Sequence, residues 1–152
     1  MSKLDYNDWM KQALAEAQKA LPVDVPVGAI VVDSEGNCIG RGFNTRERDQ
    51  NSLGHAELNA LLEASQAIGS WRLTDCTLFV TLEPCPMCAS AINQARMKQV
   101  VFGSFDVDFG GCGGWVSVHQ KPNPSLSVIG GVLEAECGQL LATFFKNLRL
   151  KR

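Results

Sequence analysis

The chain has 152 residues, 45% of them hydrophobic and 20% charged, with 14 glycines and 6 prolines. That is the size of one domain with its own core and the composition of a globular protein, which excludes a disordered, collagen-like or fibrous chain. Fourteen Lys and Arg against sixteen Asp and Glu leave a net charge of −2, without the overall basic signature of many nucleic-acid binders.

No apolar run approaches the ~20 residues that span a bilayer. Met1-Ser2-Lys3-Leu4-Asp5 has no apolar stretch of a signal peptide. Residues 1–152 therefore read as a single cytoplasmic domain.

In chain order, residues 5–21 read as a helix. Asp5 is its N-cap, Trp9, Ala13, Ala17 and Leu21 fall on one stripe, and Met10 and Leu14 lie alongside. Pro22 and Pro26 stop it. Val27 to Val32 is apolar and β-branched, Ser34-Glu35-Gly36-Asn37 supplies a turn, and Cys38 to Phe43 returns as the second strand of a hairpin. A polar loop runs from Asn44 to Gly54. His55 to Ile68 has Leu58, Leu61, Leu62 and Ser65 at helical spacing and Gly69 as a stop. Thr77 to Leu82 is a strand, residues 86–96 a helix, and Gln99 to Phe102 a strand. A Gly-rich loop follows from Phe105 to Gly114. Residues 126–130 form a last strand, and Val132 to about Leu150 a closing helix. This order, one hairpin followed by strand–helix–strand units, predicts a mixed sheet of five strands covered by helices on both faces.

Six cysteines in a chain without secretory features suggest metal or reactive thiols before disulfides. Cys38, Cys76, Cys112 and Cys137 are scattered singly, as small buried hydrophobes commonly are. Cys85 and Cys88 instead form a pair inside Pro84-Cys85-Pro86-Met87-Cys88, at the start of a predicted helix. His55-Ala56-Glu57 stands at the start of another.

One imidazole and two thiolates suit zinc and leave a fourth tetrahedral position open, as a catalytic zinc requires. Helix N-termini favour thiolate over thiol. Zn²⁺ with two thiolates and a neutral imidazole is formally neutral. Glu57, two residues after His55, is near the metal without needing to bind it and can carry protons. These parts fit hydrolytic loss of ammonia from an amidine-like carbon of a heterocycle.

Either motif alone is weak, because redox pairs and zinc ribbons also use Cys-x-x-Cys. A non-catalytic module with structural zinc would need a fourth ligand, for which Cys112 and His119 are the candidates. A redox pair would leave His55 and Glu57 without a role.

The combined signature is that of the zinc deaminases, and the chain resembles the bacterial tRNA-specific adenosine deaminase family over nearly its whole length. The resemblance is carried by Val25-Pro26-Val27-Gly28-Ala29, Gly42-Phe43-Asn44, Trp71-Arg72-Leu73, residues 77–85, Val100-Val101-Phe102-Gly103 and Phe144-Phe145-Lys146-Asn147-Leu148-Arg149. It implies a cytidine-deaminase-like three-layer α/β/α sandwich, one Zn²⁺ per subunit, a homodimer, and conversion of adenosine to inosine at the tRNA wobble position. It also implies zinc ligation by His55, Cys85 and Cys88, proton transfer by Glu57, and substrate contacts from Asn44, Val27, Ala56, Pro84 and Asp106. Phe145, Lys146 and Arg149 would contact RNA. Taken alone, the last seven residues, with four basic groups and no acidic one, read as a solvated helix end; in this light they become a phosphate-contacting patch.

The sequence departs from that family at Asn51-Ser52-Leu53-Gly54, at Phe105, over residues 107–115 and over residues 119–125. These segments belong to the pocket rim. They leave the zinc centre intact and keep a second substrate class open: a free nucleobase or nucleoside such as guanine or cytosine. Phe105, Phe109 and Trp115 could stack on bases of a splayed RNA loop, although aromatics near glycines more often pack.

Overall fold

A computed structural model describes residues 5–118 and 123–151. Its elements are α1 (Tyr6–Gln18), β1 (Gly28–Val32), β2 (Cys38–Phe43), α2 (Ala56–Ile68), β3 (Thr77–Leu82), α3 (Pro86–Gln94), β4 (Gln99–Ser104), β5 (Ser127–Ile129) and α4 (Glu134–Leu150). The sheet order is β2-β1-β3-β4-β5. β1 runs antiparallel to both β2 and β3, while β3, β4 and β5 are parallel. This is the expected mixed five-stranded sheet.

All five residues of β1 are buried, as a strand covered on both faces requires. Ala29, Val31, Leu78 and Val80 join a core with Ala60, Ala64 and Ile92 under α2 and α3. Ile30, Val32 and Phe79 point the other way, into a core with Met10, Ala13 and Cys137 under α1 and α4. The period-2 alternation of the strands thus divides their side chains between two helical layers, giving the α/β/α sandwich.

Several boundaries differ from those the sequence predicts. Asp5 is the N-cap of α1, accepting from the backbone N–H of Asn7 and Asp8. The helix ends at Gln18 instead of 21: the N–H groups of Lys19, Ala20 and Leu21 each bond to the carbonyl three residues back, tightening the chain into turns before Pro22. α3 ends at Gln94, and Arg96 takes a left-handed φ of 62°. β4 continues to Ser104, where Ser104 pairs with Leu82. β5 is shorter than predicted, and α4 begins at Glu134 after a left-handed Leu133.

Leucine spacing alone does not define the buried face of α2. Its buried face is Ala56, Glu57, Ala60, Leu61 and Ala64, whereas Leu62 of the leucine stripe is 58% exposed. Alanines pack here because α2 lies close against β2.

Candidate active site

His55 and Cys85 occupy equivalent positions. Each is the N-cap of a helix, in extended conformation, and neither side chain caps its own helix. Pro86 at the first turn of α3 has the fixed φ that a helix start accepts. Both helices begin beyond the C-terminal end of β3, where a parallel sheet characteristically opens its crevice.

The two side chains turn toward one another. Nδ1 of His55 lies 3.6 Å from the Cys85 Sγ and 3.5 Å from the Cys88 Sγ, and the three ligand atoms are within 4.8 Å of one another. Zinc bonds of ~2.3 Å to sulfur and ~2.05 Å to nitrogen at tetrahedral angles separate the two atoms by about 3.6 Å. The donor set therefore fits one zinc ion.

The electrostatics agree with a thiolate-bearing site. The Cys88 thiol hydrogen-bonds to Cys85 and, together with His55 and against burial, lowers the Cys85 thiol to about 4. Cys88 is raised, first by that same hydrogen bond and then by burial. The hydrogen bond to Cys85 also raises His55. Glu57, in the first turn of α2, is 4% exposed, and burial pushes its carboxyl up to about 7. A carboxyl poised near neutrality is suited to accept and return a proton.

A cleft of about 400 Å³ opens onto this cluster, lined by Val25, Val27, Asn44, Arg46, His55, Ala56, Glu57, Leu82, Glu83, Cys85, Asp106 and Phe109. Of the expected substrate residues, Val27, Asn44, Ala56 and Asp106 line it. Pro84 does not: it is buried, and its carbonyl accepts the Gly111 N–H at 2.6 Å. Asn44 is fixed in place, donating from Nδ2 to the Val25 carbonyl (3.2 Å) and accepting the Arg46 N–H (3.1 Å).

Of the three rim aromatics, Phe109 lines the cleft, while Phe105 and Trp115 are exposed away from its lining. Phe105 packs edge-on against Phe102, with ring centroids 5.0 Å apart. Phe145, Lys146 and Arg149 are exposed on α4 and do not line the cleft. Cys112 is outside the ligand cluster, and burial, aided by Glu83, pushes its thiol up to about 12. His119 and residues 120–122 lie outside the described residues.

Sequence reasoning passed over Val25, Arg46, Leu82 and Glu83. Arg46 follows Asn44 by two positions, and Val25 and Glu83 lie inside quoted segments, but their residue types carried no signal for chemistry. A fifth feature also escaped it. The buried carboxylate of Asp24 accepts the backbone N–H groups of Glu47 (2.6 Å) and Arg48 (3.1 Å), pinning the loop that bears Arg46.

Fold and site together define a zinc-binding deaminase domain, and residues 4–104 match the family described as the cytidine and deoxycytidylate deaminase zinc-binding region. The tRNA-specific adenosine deaminase of Bacillus subtilis (strain 168) is 47% identical over 95% of this chain and 91% of its own length. That of Haemophilus influenzae (strain Rd) is 43% identical over 92% and 83%. A solved structure from work on A-to-I editing by tRNA:A34 deaminases at the wobble position superposes with a TM-score of 0.80 at 34% identity, covering 88% of this chain and 99% of that one. The Bacillus subtilis guanine deaminase structure gives 0.65 at 32%, covering 69% and 68%. The chain belongs to this deaminase family and, within it, to the tRNA-specific adenosine deaminases. It is a zinc-dependent hydrolytic deaminase. Among the described residues no helix is long and apolar enough to cross a membrane.

Proposed function

We propose that the chain, acting as one deaminase unit over residues 1–152, converts adenosine to inosine at the wobble position of tRNA. The observation that carries this reading is the His55–Cys85–Cys88 cluster with buried Glu57 at a cleft lined by Val27, Asn44, Ala56 and Asp106. The reading draws its substrate from relatives named as tRNA-specific adenosine deaminases at 40–47% identity.

His55, Cys85 and Cys88 hold the metal, which when bound supplies a Lewis acid that brings the pKa of water to about 7. The remaining work falls to the chain. Asn44 orients the extruded base, Asp106 stands near the neighbouring nucleotides, and Val27 and Ala56 flank the base and exclude solvent. Glu57 takes a proton from the attacking water as its oxygen adds to purine C6. It passes that proton to N1, then takes the remaining proton from the hydroxyl on C6 and delivers it to the departing amine. The C6–N6 bond breaks, and the products are inosine and ammonia, so atoms and charge balance against one adenosine and one water.

Exposed Phe145, Lys146 and Arg149 on α4 supply a stacking surface and cations for the RNA backbone. A homodimer is the expected assembly. Supporting it, a groove between α2 and α3 is lined by Leu58, Leu61, Leu62 and Trp71, with Leu62 and Trp71 more than half exposed. The cytoplasm, where tRNA is the substrate, is the expected compartment.

A substrate panel tests the reading: an anticodon stem-loop with wobble adenosine, the same stem-loop with guanosine or cytidine there, and free adenine, guanine, cytosine and their nucleosides. Product mass should change only for the first. The likeness to a guanine deaminase at 32% identity favours a second reading, a free purine, which predicts turnover of guanine with the stem-loop untouched.

A further inference from the structure

We propose that Glu83 is a positioning residue for substrate binding, acting through the loop of residues 105–118; this rests on the cleft being the nucleoside site. Glu83 follows the last residue of β3 and is 2% exposed. A buried carboxylate must be paired or fully hydrogen-bonded, and among the described residues no cation pairs with Glu83. Its partners are three backbone amides of one loop. Oε1 accepts from Asp106 at 3.0 Å, and Oε2 accepts from Cys112 at 3.2 Å and Gly114 at 2.9 Å.

The loop is built to close on this carboxylate. A Cβ on Gly110 would run into Oε2 of Glu83, and one on Gly114 would stand 2.9 Å from it. The glycine cluster thus has a steric reason.

The clamp reaches the cleft in one further step. The Asp106 carboxylate accepts the N–H groups of Asp108 (3.2 Å) and Phe109 (3.1 Å), and Asp106 and Phe109 both line the cleft. One end of the chain of bonds is therefore a buried strand end two residues before Cys85, and the other is the rim that faces the bound base. Between Asp106 and Val118 the loop belongs to no named strand or helix; most of its own backbone bonds close it on itself, among them Gly110 to Asp106 and Val118 to Gly111, and the Gly111 N–H ties it to the Pro84 carbonyl next to Glu83. Charge-assisted bonds to a single acceptor group set where Asp106 and Phe109 stand.

Glu83→Gln is the test. The amide is isosteric but keeps one acceptor oxygen, so one or more loop N–H groups face a donor. Gly114→Ala keeps the Glu83 carboxylate but drives a Cβ into the Asp106 backbone carbonyl, displacing the loop from the other side. The KM is measured on whichever panel substrate the wild type turns over, so failure on the stem-loop overturns the proposed function without touching this inference. Both variants should raise KM about tenfold, leave kcat and zinc content within about twofold, and speed hydrogen exchange at Asp106, Cys112 and Gly114 only. Unchanged KM, even with faster exchange, would reduce the clamp to a structural feature and overturn the proposal. So would loss of zinc, or a fall in kcat at constant KM.

Discussion

Gly42 of β2 faces Ala56 of α2 at backbone contact, so that a Cβ on Gly42 would run into the Ala56 carbonyl oxygen. Gly40 stands in the same relation to Ala60. These two glycines, opposite a face of alanines, let α2 lie against the sheet and bring His55 and Glu57 to the level of Cys85. Gly42→Ala should therefore wedge α2 off β2. Overpacking of this kind costs about 1–3 kcal/mol, and for a chain of this size Tm should fall by roughly 2–12 °C. Zinc retention should fall with it. Calorimetry and elemental analysis read both; an unchanged Tm would show that β2 and α2 separate freely.

Glu57 is buried beside the ligand cluster without belonging to it. Glu57→Gln keeps its shape and removes its capacity to accept the water's proton. Turnover should drop by about 10²–10⁴-fold with zinc content unchanged. Near-normal turnover would contradict the proton-transfer role.

Metal removal should unmask an asymmetry between two thiols. In the zinc-free chain, Cys85 is lowered to about 4, chiefly by its hydrogen bond with Cys88, and Cys88 is raised. At pH 6, above the lowered value, Cys85 is a thiolate and Cys88 a thiol. Because the thiolate is the nucleophile, iodoacetamide at pH 6 should label Cys85 rapidly and alone after chelation, and zinc should protect it. Equal labelling of the two cysteines would contradict the arrangement.

If α4 contacts RNA, its cations act on phosphates. Lys146→Ala and Arg149→Ala should each weaken stem-loop binding and lower the slope of log affinity against log salt by about 1. Turnover of a saturating stem-loop should be unchanged. Salt slopes equal to wild type would remove α4 from the interface.

The zinc centre was legible in the sequence because its chemistry needs particular residue types at particular places: His55, Glu57, Cys85 and Cys88 are all named by the two motifs, and the structure brings the three donors together. Strands β2 and β3 match their predicted limits for a related reason, since β-branched or hydrophobic runs bounded by turn residues leave few alternatives. Helix α2 is placed correctly, and its leucines divide: Leu61 is buried and Leu58 packs against the core, while Leu62 is exposed. Leucine spacing points to a hydrophobic face without saying whether the sheet or a surface groove receives it, and here the alanines went inward because Gly40 and Gly42 admit close approach. Asp24 and Glu83 were illegible for another reason. Their partners are backbone amides, which every residue type carries, so the spacing of side chains holds no trace of them. Only the cluster of glycines at 110–114 marks where a backbone must come close.

The most direct measurement is the reaction of zinc-loaded protein with an anticodon stem-loop carrying wobble adenosine, run in oxygen-18 water and followed by mass spectrometry and ammonia release. The account predicts one labelled oxygen at purine C6 of the wobble nucleoside, one ammonia per inosine formed, and no change at other adenosines. An untouched stem-loop beside turnover of a free base, or inosine without the label, would contradict it.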